Sequence, residues 1–396
     1  MKNKILLIHN RCLPIFNKKN QGAIEKLERI YLKHNENGDY DFTVYSPKIA
    51  KDDFDSKRIK NVAFRNIDLT TRRSCFLRLY YALKRRFLNK GNNEYYIREV
   101  IKDLKHRKEE NKYNLIIFEN EEGSIPLFRQ KTNTKTSIVL HLHNDYVNAD
   151  KKYSKIILDN CDEVWCVSKF IESRVLEVKG IKTVVIPNTV EELPAYNSNK
   201  VSELINKYKP KTNSVFLFVG RLIKEKGVLE LVEAFNIYNA KHANAKLIII
   251  GSFGGRLKDK IFTKQVRNKI ANNKNIALEG YKEMGEIANY YKIAKAQIIP
   301  SMCNEAFGLV TLEAMLGGVR IIATDNEAFR EICDNRAIYV SKDNIINDMV
   351  GAMERTSKLS DISRGFYSGI LEKFTVSSYC AVFDEAIMQS IGKDKQ

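Results

Sequence analysis

The sequence predicts two Rossmann-like, doubly wound α/β domains facing each other across a cleft. Three observations lead there. Short β-branched runs alternate with helical patterns along the chain. The series restarts once, beyond a polar seam near 189–212. The 396 residues, 44% hydrophobic and 29% charged, suit two or three ordinary domains and exclude a wholly disordered or fibrous chain.

The first series runs KILLIHN (4–10), NLIIFEN (114–120), SIVLHLH (137–143), EVWCVS (163–168) and TVVIPN (183–188). The second runs SVFLFVG (214–220), KLIIIG (246–251), AQIIPS (296–301) and VRIIAT (319–324). Continuous apolar runs bounded by loops suit parallel strands buried on both faces. The helical stretches between them imply right-handed crossovers. The seam, TVEELPAYNSNKVSELINKYKPKT, reads as a linker followed by a short helix. Domains are therefore expected at 1–195 and 196–375. A last helix, 376–391, has no strand after it and is expected to pack back on the first domain.

Charge narrows the partners. Lys plus Arg is 66 and Asp plus Glu is 48, a net +18 that argues for nucleic acid, a phosphorylated metabolite or an acidic lipid surface. Residues 57–108 hold 16 Lys or Arg against 4 Asp or Glu. Within them Phe76, Leu79, Tyr80, Leu83 and Phe87 recur on one helical face, ringed by Arg72, Arg73, Arg78, Lys84, Arg85, Arg86 and Lys90. Such a helix can lie on an anionic membrane surface; the alternative is a surface helix packed on its own domain. The aromatics sit at helix-face spacing and no standard module is present, so nucleic acid is not expected as a partner. No run reaches the roughly 18 apolar residues of a membrane span, and the first run is too short for a signal-peptide core. The seven cysteines show no metal-ligand spacing and read as reduced core thiols of a cytoplasmic protein.

Open α/β sheets bind ligands beyond the carboxyl ends of their strands. Two segments of the second half carry suitable chemistry there. In FVGRLIKEKGVLELVEAF (218–235) a strand ends at Gly220 and a helix is expected near Glu225. Arg221 offers a bidentate fork and Lys226 a point charge, together enough to neutralise a diphosphate without a metal. The alternative is two solvated cations at a helix start. In PSMCNEAFGLVTLEAMLGGVRIIATD (300–325) a loop presents Glu305, and a helix is expected near Phe307–Gly308. Glu313 follows Glu305 by eight residues, two turns on if helical, so both carboxylates would share one side. They suit sugar and ribose hydroxyls, while the amides of Phe307, Gly308 and Leu309 suit phosphate. The alternative is a capping Glu305 and a solvated Glu313.

The two segments, with VSKF (167–170), IPNTV (186–190) and NIALEGY (275–281), resemble glycosyltransferase family 4, most strongly over about 160–335. The resemblance implies the GT-B fold and retaining transfer from a nucleotide diphosphate sugar, with a UDP-sugar expected, and no metal or other cofactor. It implies that Arg221 and Lys226 hold the diphosphate, that Glu313 binds the ribose, and that Glu305 holds the transferred sugar beside the amides of Phe307, Gly308 and Leu309. Of HLHND (141–145), His143 best matches the family's cleft histidine, with His141 as second choice. A metal bound by the two histidines, or a buried structural pair, are the alternatives. Gly22, Glu119, Asn120 and His141 are acceptor-side candidates, and Glu122 lies beside them. Two departures from the family pattern stand out: Asn326-Glu327-Ala328 replaces a frequent Gly pair, and a single Gly22 replaces another.

The resemblance suggests surface polysaccharide assembly. The expected acceptor is a lipid-linked glycan such as a lipopolysaccharide, capsule or exopolysaccharide intermediate, reached from the inner face of the membrane through 57–108. Two other function classes are the alternatives: a basic nucleic-acid binder, and a metal-dependent transferase using Asp-x-Asp, as at Asp39–Asp41 or Asp53–Asp55.

Overall fold

The computed structural model describes residues 2–10, 12, 15, 22–48, 59–70, 94–208, 214–254, 257–363 and 365–392. The basic face Phe76–Phe87 and the Asp53–Asp55 pair lie outside these residues.

The chain forms two compact units. One comprises Met1–Asn188 with Val376–Gln396, the other Thr189–Thr375. The division falls inside IPNTV, seven residues before the expected boundary at 195. In the first unit seven parallel strands lie in the order β3-β2-β1-β4-β5-β6-β7. They are β1 Asn3–Ile8, β2 Tyr40–Lys48, β3 Val62–Asp68, β4 Leu115–Glu119, β5 Ile138–Leu142, β6 Glu163–Cys166 and β7 Lys182–Val185. β4 and β5 are buried at every residue, as their unbroken apolar runs require. The terminal helix Val376–Ile391 joins this core through Tyr379, Cys380, Phe383, Ala386 and Ile387, one face at helical spacing. The Tyr31 ring meets Phe383 in a tilted contact at 3.9 Å between centroids, and its hydroxyl donates to Asp384 at 2.5 Å.

The second unit has six parallel strands in the order β10-β9-β8-β11-β12-β13. They are β8 Val215–Val219, β9 Lys246–Ile250, β10 Ile276–Gly280, β11 Ala296–Ile299, β12 Arg320–Thr324 and β13 Ala337–Val340. The seam contains the helix Ser198–Tyr208, as its composition predicts. The Asn326 side chain accepts from the Ala328 amide at 2.9 Å, so the departure Asn326-Glu327-Ala328 is an N-cap opening the helix Glu327–Cys333.

Strand order reverses once in each sheet, between β1 and β4 and between β8 and β11. At such a point the flanking crossovers run to opposite faces and leave a crevice at the carboxyl ends. The Asp39–Asp41 pair lies at the amino end of β2, the wrong edge for it. A cavity of about 370 Å³ lined by Lys4, Asp41, Asn61, Glu109 and Lys112 also opens at that amino edge.

Candidate functional site

The second unit brings its predicted residues to the β8/β11 crevice. After β8 the chain turns through Arg221, which is exposed, and makes a single 3-10 turn, Lys224–Lys226. The helix begins only at Val228, three residues later than expected. The cause is Gly227, whose φ of 68° breaks the turn from the helix. A Cβ there would lie 1.8 Å from the Pro300 carbonyl oxygen, so the backbone of this turn rests directly on the loop after β11. The amides of Met302 and Cys303 donate back to the Glu225 carbonyl at 2.9 and 3.4 Å.

That apposition pairs two predicted residues. Lys226 Nζ meets Glu305 Oε1 at 2.5 Å, and the Ser301 hydroxyl donates to the same oxygen at 2.5 Å. The side chains are 23% and 13% exposed, so the pair is open to a ligand. The expected two-turn helical relation of Glu305 and Glu313 does not form. The helix spans Leu309–Leu316, and Gly308, at φ 101°, ends the loop that carries Glu305. A Cβ on Gly308 would lie 2.6 Å from Phe329, which holds this turn to a glycine. Glu313 therefore sits in the helix's second turn, half-buried. Phe307 is buried and meets Phe374 edge-on at 5.8 Å, which anchors the helix start.

The first unit's crevice is built differently. The β4/β5 register places Glu119 opposite His141, and the strand period puts His143 on the same face. His141 Nδ1 lies 3.0 Å from Glu119 Oε1, and His143 Nε2 lies 3.1 Å from Oε2. Burial by itself would raise the Glu119 pKa; the two imidazoles outweigh it and hold the carboxyl well below the usual range. Burial and the neighbouring His141 lower the His143 pKa against the pull of Glu119. The three donor atoms lie within 4.8 Å of one another, so this trio could also hold a metal ion.

The structure separates the two histidines. His141 is fully buried, edge-on to Trp165 at 5.9 Å and Phe383 at 5.8 Å. His143 lies one residue beyond β5 and retains 8% exposure. Asn120, at φ 48°, accepts from the His143 amide at 3.1 Å, and its own amide donates to the His141 carbonyl at 2.8 Å. Two acceptor-side candidates, Glu119 at the end of β4 and Asn120 just beyond it, thus hold the histidines in place. Gly22 caps the helix Ala23–His34 at an ordinary φ of −76°.

Three residues were missed. His9, fully buried past β1, meets Glu28 at 2.6 Å and Glu25 at 3.5 Å. Glu25 and Glu28 are three apart on one helix, a spacing that could have paired them in advance.

Residues 201–364 match the family model "Glycosyl transferases group 1". The chain is similar to the solved structure of Anabaena Alr3699/HepE in complex with UDP and glucose, with TM-score 0.71 and 14% identity over 97% of this chain and 99% of that one. The fold is GT-B. Among sequence relatives, the GT-B chain is 25% identical over 277 residues to the lipopolysaccharide 1,2-N-acetylglucosaminetransferase of Salmonella typhimurium, covering 66% of this chain and 70% of that one. It is 26% identical over 200 residues to the capsular polysaccharide biosynthesis glycosyltransferase CapM of Staphylococcus aureus, 50% of this chain and 43% of that one. The matched domain contains Arg221, Lys226, Glu305, Phe307, Gly308, Leu309 and Glu313; Gly22, Glu119, Asn120, His141 and His143 precede it. Among the described residues no helix is long and apolar enough to cross a membrane.

Proposed function

We propose that this chain transfers a sugar from a nucleotide diphosphate sugar, a UDP-sugar, to a hydroxyl of a lipid-linked surface glycan, with retention and without a metal. The observation that carries the reading is the pairing of Lys226 with Glu305, beside Arg221, at the β8/β11 crevice of the group 1 domain. In this reading the bond between the anomeric carbon and the β-phosphate oxygen breaks, and the leaving diphosphate keeps the electron pair. Arg221 and Lys226 meet that growing charge. Glu305 balances Lys226 before the donor arrives and accepts a sugar hydroxyl once the diphosphate is bound. Glu313 takes the ribose. The acceptor oxygen bonds to the anomeric carbon from the face the diphosphate leaves, and its proton passes to the leaving phosphate. No protein nucleophile is assigned.

Similarity to lipopolysaccharide and capsular glycosyltransferases supports a surface-glycan acceptor, with the first unit as its binding side. The surplus of basic residues in 57–108 supports peripheral binding at the anionic inner face of the membrane. Donor hydrolysis and thermal shift against UDP- and GDP-sugars, with and without EDTA, test the reading. A UDP-sugar hit that survives EDTA is expected. Activity lost in EDTA would remove the metal-free mechanism, and a hit confined to GDP-sugars would change the donor.

A further inference from the structure

Tyr291 closes the helix Met284–Tyr291 in the second unit and is only 2% exposed. Its hydroxyl has no hydrogen-bond partner among the described residues. A buried orphan donor destabilises a fold, and a phenylalanine would fill the same space without it. The surroundings narrow the partner. The ring lies against Gly317: a Cβ there would sit 2.6 Å from Tyr291 Cγ and 2.8 Å from its Cβ. Glu313 is four residues earlier on the same face, and the Gly317 amide donates to its carbonyl at 3.0 Å. A tyrosine side chain is longer than the roughly 5.4 Å of one helical turn, so a hydroxyl based at Gly317 can reach the Glu313 side chain. Backbone carbonyls on this stretch are engaged. Ala314 accepts from Val319 and Met315 from Gly318, each at 3.0 Å, and Gly317 from the Lys292 ammonium at 3.4 Å. That leaves the Glu313 carboxylate as the acceptor within reach. Burial and that carboxylate hold the Tyr291 pKa well above 10, so the hydroxyl keeps the proton it would donate.

We propose that Tyr291 is a positioning residue: its hydroxyl donates to the Glu313 carboxylate when a nucleotide ribose engages it, and so fixes the rotamer in which the ribose is held. The inference rests on the reading that Glu313 takes the ribose, and deepens it by naming what holds that carboxylate. An ionised carboxylate accepts at both oxygens and has room for several donors, so one phenol and the ribose hydroxyls can share it. Tyr291 itself stays beneath the helix Leu309–Leu316 and does not touch the nucleotide. The hydroxyl thus stabilises the loaded site rather than the resting fold, which is why a donor stands where an apolar ring would pack as well.

The test compares Tyr291→Phe with the unaltered full chain, using UDP and its 2′- and 3′-deoxy forms as calorimetric probes. If only guanosine nucleotides bind, GDP and its deoxy forms take their place. The unaltered chain should bind UDP at least about ten-fold more tightly than one of the deoxy forms. Y291F should weaken UDP about ten-fold, the scale of one hydrogen bond to a charged group, and shrink that discrimination. With a UDP-sugar its KM should rise while kcat holds within about two-fold, because the ribose is held equally before and during transfer. Without nucleotide its melting temperature should equal or exceed that of the unaltered chain, since an orphan donor is gone. In Glu313→Gln the further change Y291F should add little, as two residues acting through one contact require. Full UDP affinity in Y291F, losses that add to those of E313Q, or a lower melting temperature without nucleotide would each overturn the positioning role. If E313Q loses the discrimination and Y291F keeps it, Tyr291 alone is dismissed. An unaltered chain that ignores the ribose hydroxyls, or binds no nucleotide, sinks the ribose reading and this proposal with it.

Discussion

The two crevices occupy equivalent places in their sheets and hold opposite chemistry. At β1/β4 the polar groups are buried and meet one another: His9 with Glu25 and Glu28, and Glu119 with both strand-end histidines. At β8/β11 the cations stand open, with Arg221 exposed and Lys226 held by one part-buried carboxylate. Buried polar groups are tolerated only when partnered, so those of the first crevice are held by one another. The second can exchange its internal partner for a ligand's phosphate. The net +18 of the chain is thus no guide to either site; local pairing decides what each can bind.

The largest effect that would break the comparison is expected in the second crevice. Arg221→Ala and Lys226→Ala should each lower kcat/KM on the order of 100- to 1,000-fold, the scale of losing one charge-stabilising group. Steady-state rates near normal in both variants would remove the diphosphate from this crevice. Next comes a split between the two histidines. His141→Ala empties a sealed aromatic pocket and strands one Glu119 oxygen, so urea unfolding should show a loss of about 2–3 kcal/mol. His143→Ala should cost less stability and more activity. Equal behaviour of the two would erase the difference drawn from their burial.

The smallest effect sharpens the electrostatic side. Burial pushes the His9 pKa down, but Glu28 and Glu25 outweigh it and raise it to about 10. The pair's stabilisation is therefore complete below the ordinary histidine value of 6.5 and is lost as pH rises through about 10. Burial raises the Glu28 carboxyl as well, which adds to the loss in the same direction. Melting temperature should fall between pH 7 and 10, by the equivalent of at least about 1 kcal/mol, and less in His9→Gln. A parallel profile for the two proteins would show that the network is not titrating.

Much of the fold was legible because burial leaves a local trace. All nine apolar runs read as strands became strands, and the terminal helix declared its buried face through Tyr379, Cys380, Phe383, Ala386 and Ile387. β3 was hard to read because it is an edge strand whose residues alternate between part-buried and exposed, with Arg65 and Asn66 in the middle. Arg221, Lys226 and Glu305 were legible as residue types at strand ends. Their pairing was not, since Lys226 and Glu305 lie 79 positions apart with no periodic signal to join them.

By itself the sequence determined the two strand series, the helices between them, and which residues reach the carboxyl edges, because apolar periodicity and turn chemistry act over a few residues. Only the tertiary structure decided the partners. The β4/β5 register sets Glu119 between two histidines, and the close approach at Gly227 joins Lys226 to Glu305. It also sealed His141 and left His143 at the edge, a choice made by where Trp165 and the terminal helix come to rest. Electrostatic roles depend on distances of about 3 Å and on the water excluded around them, and those exist only once distant segments have packed.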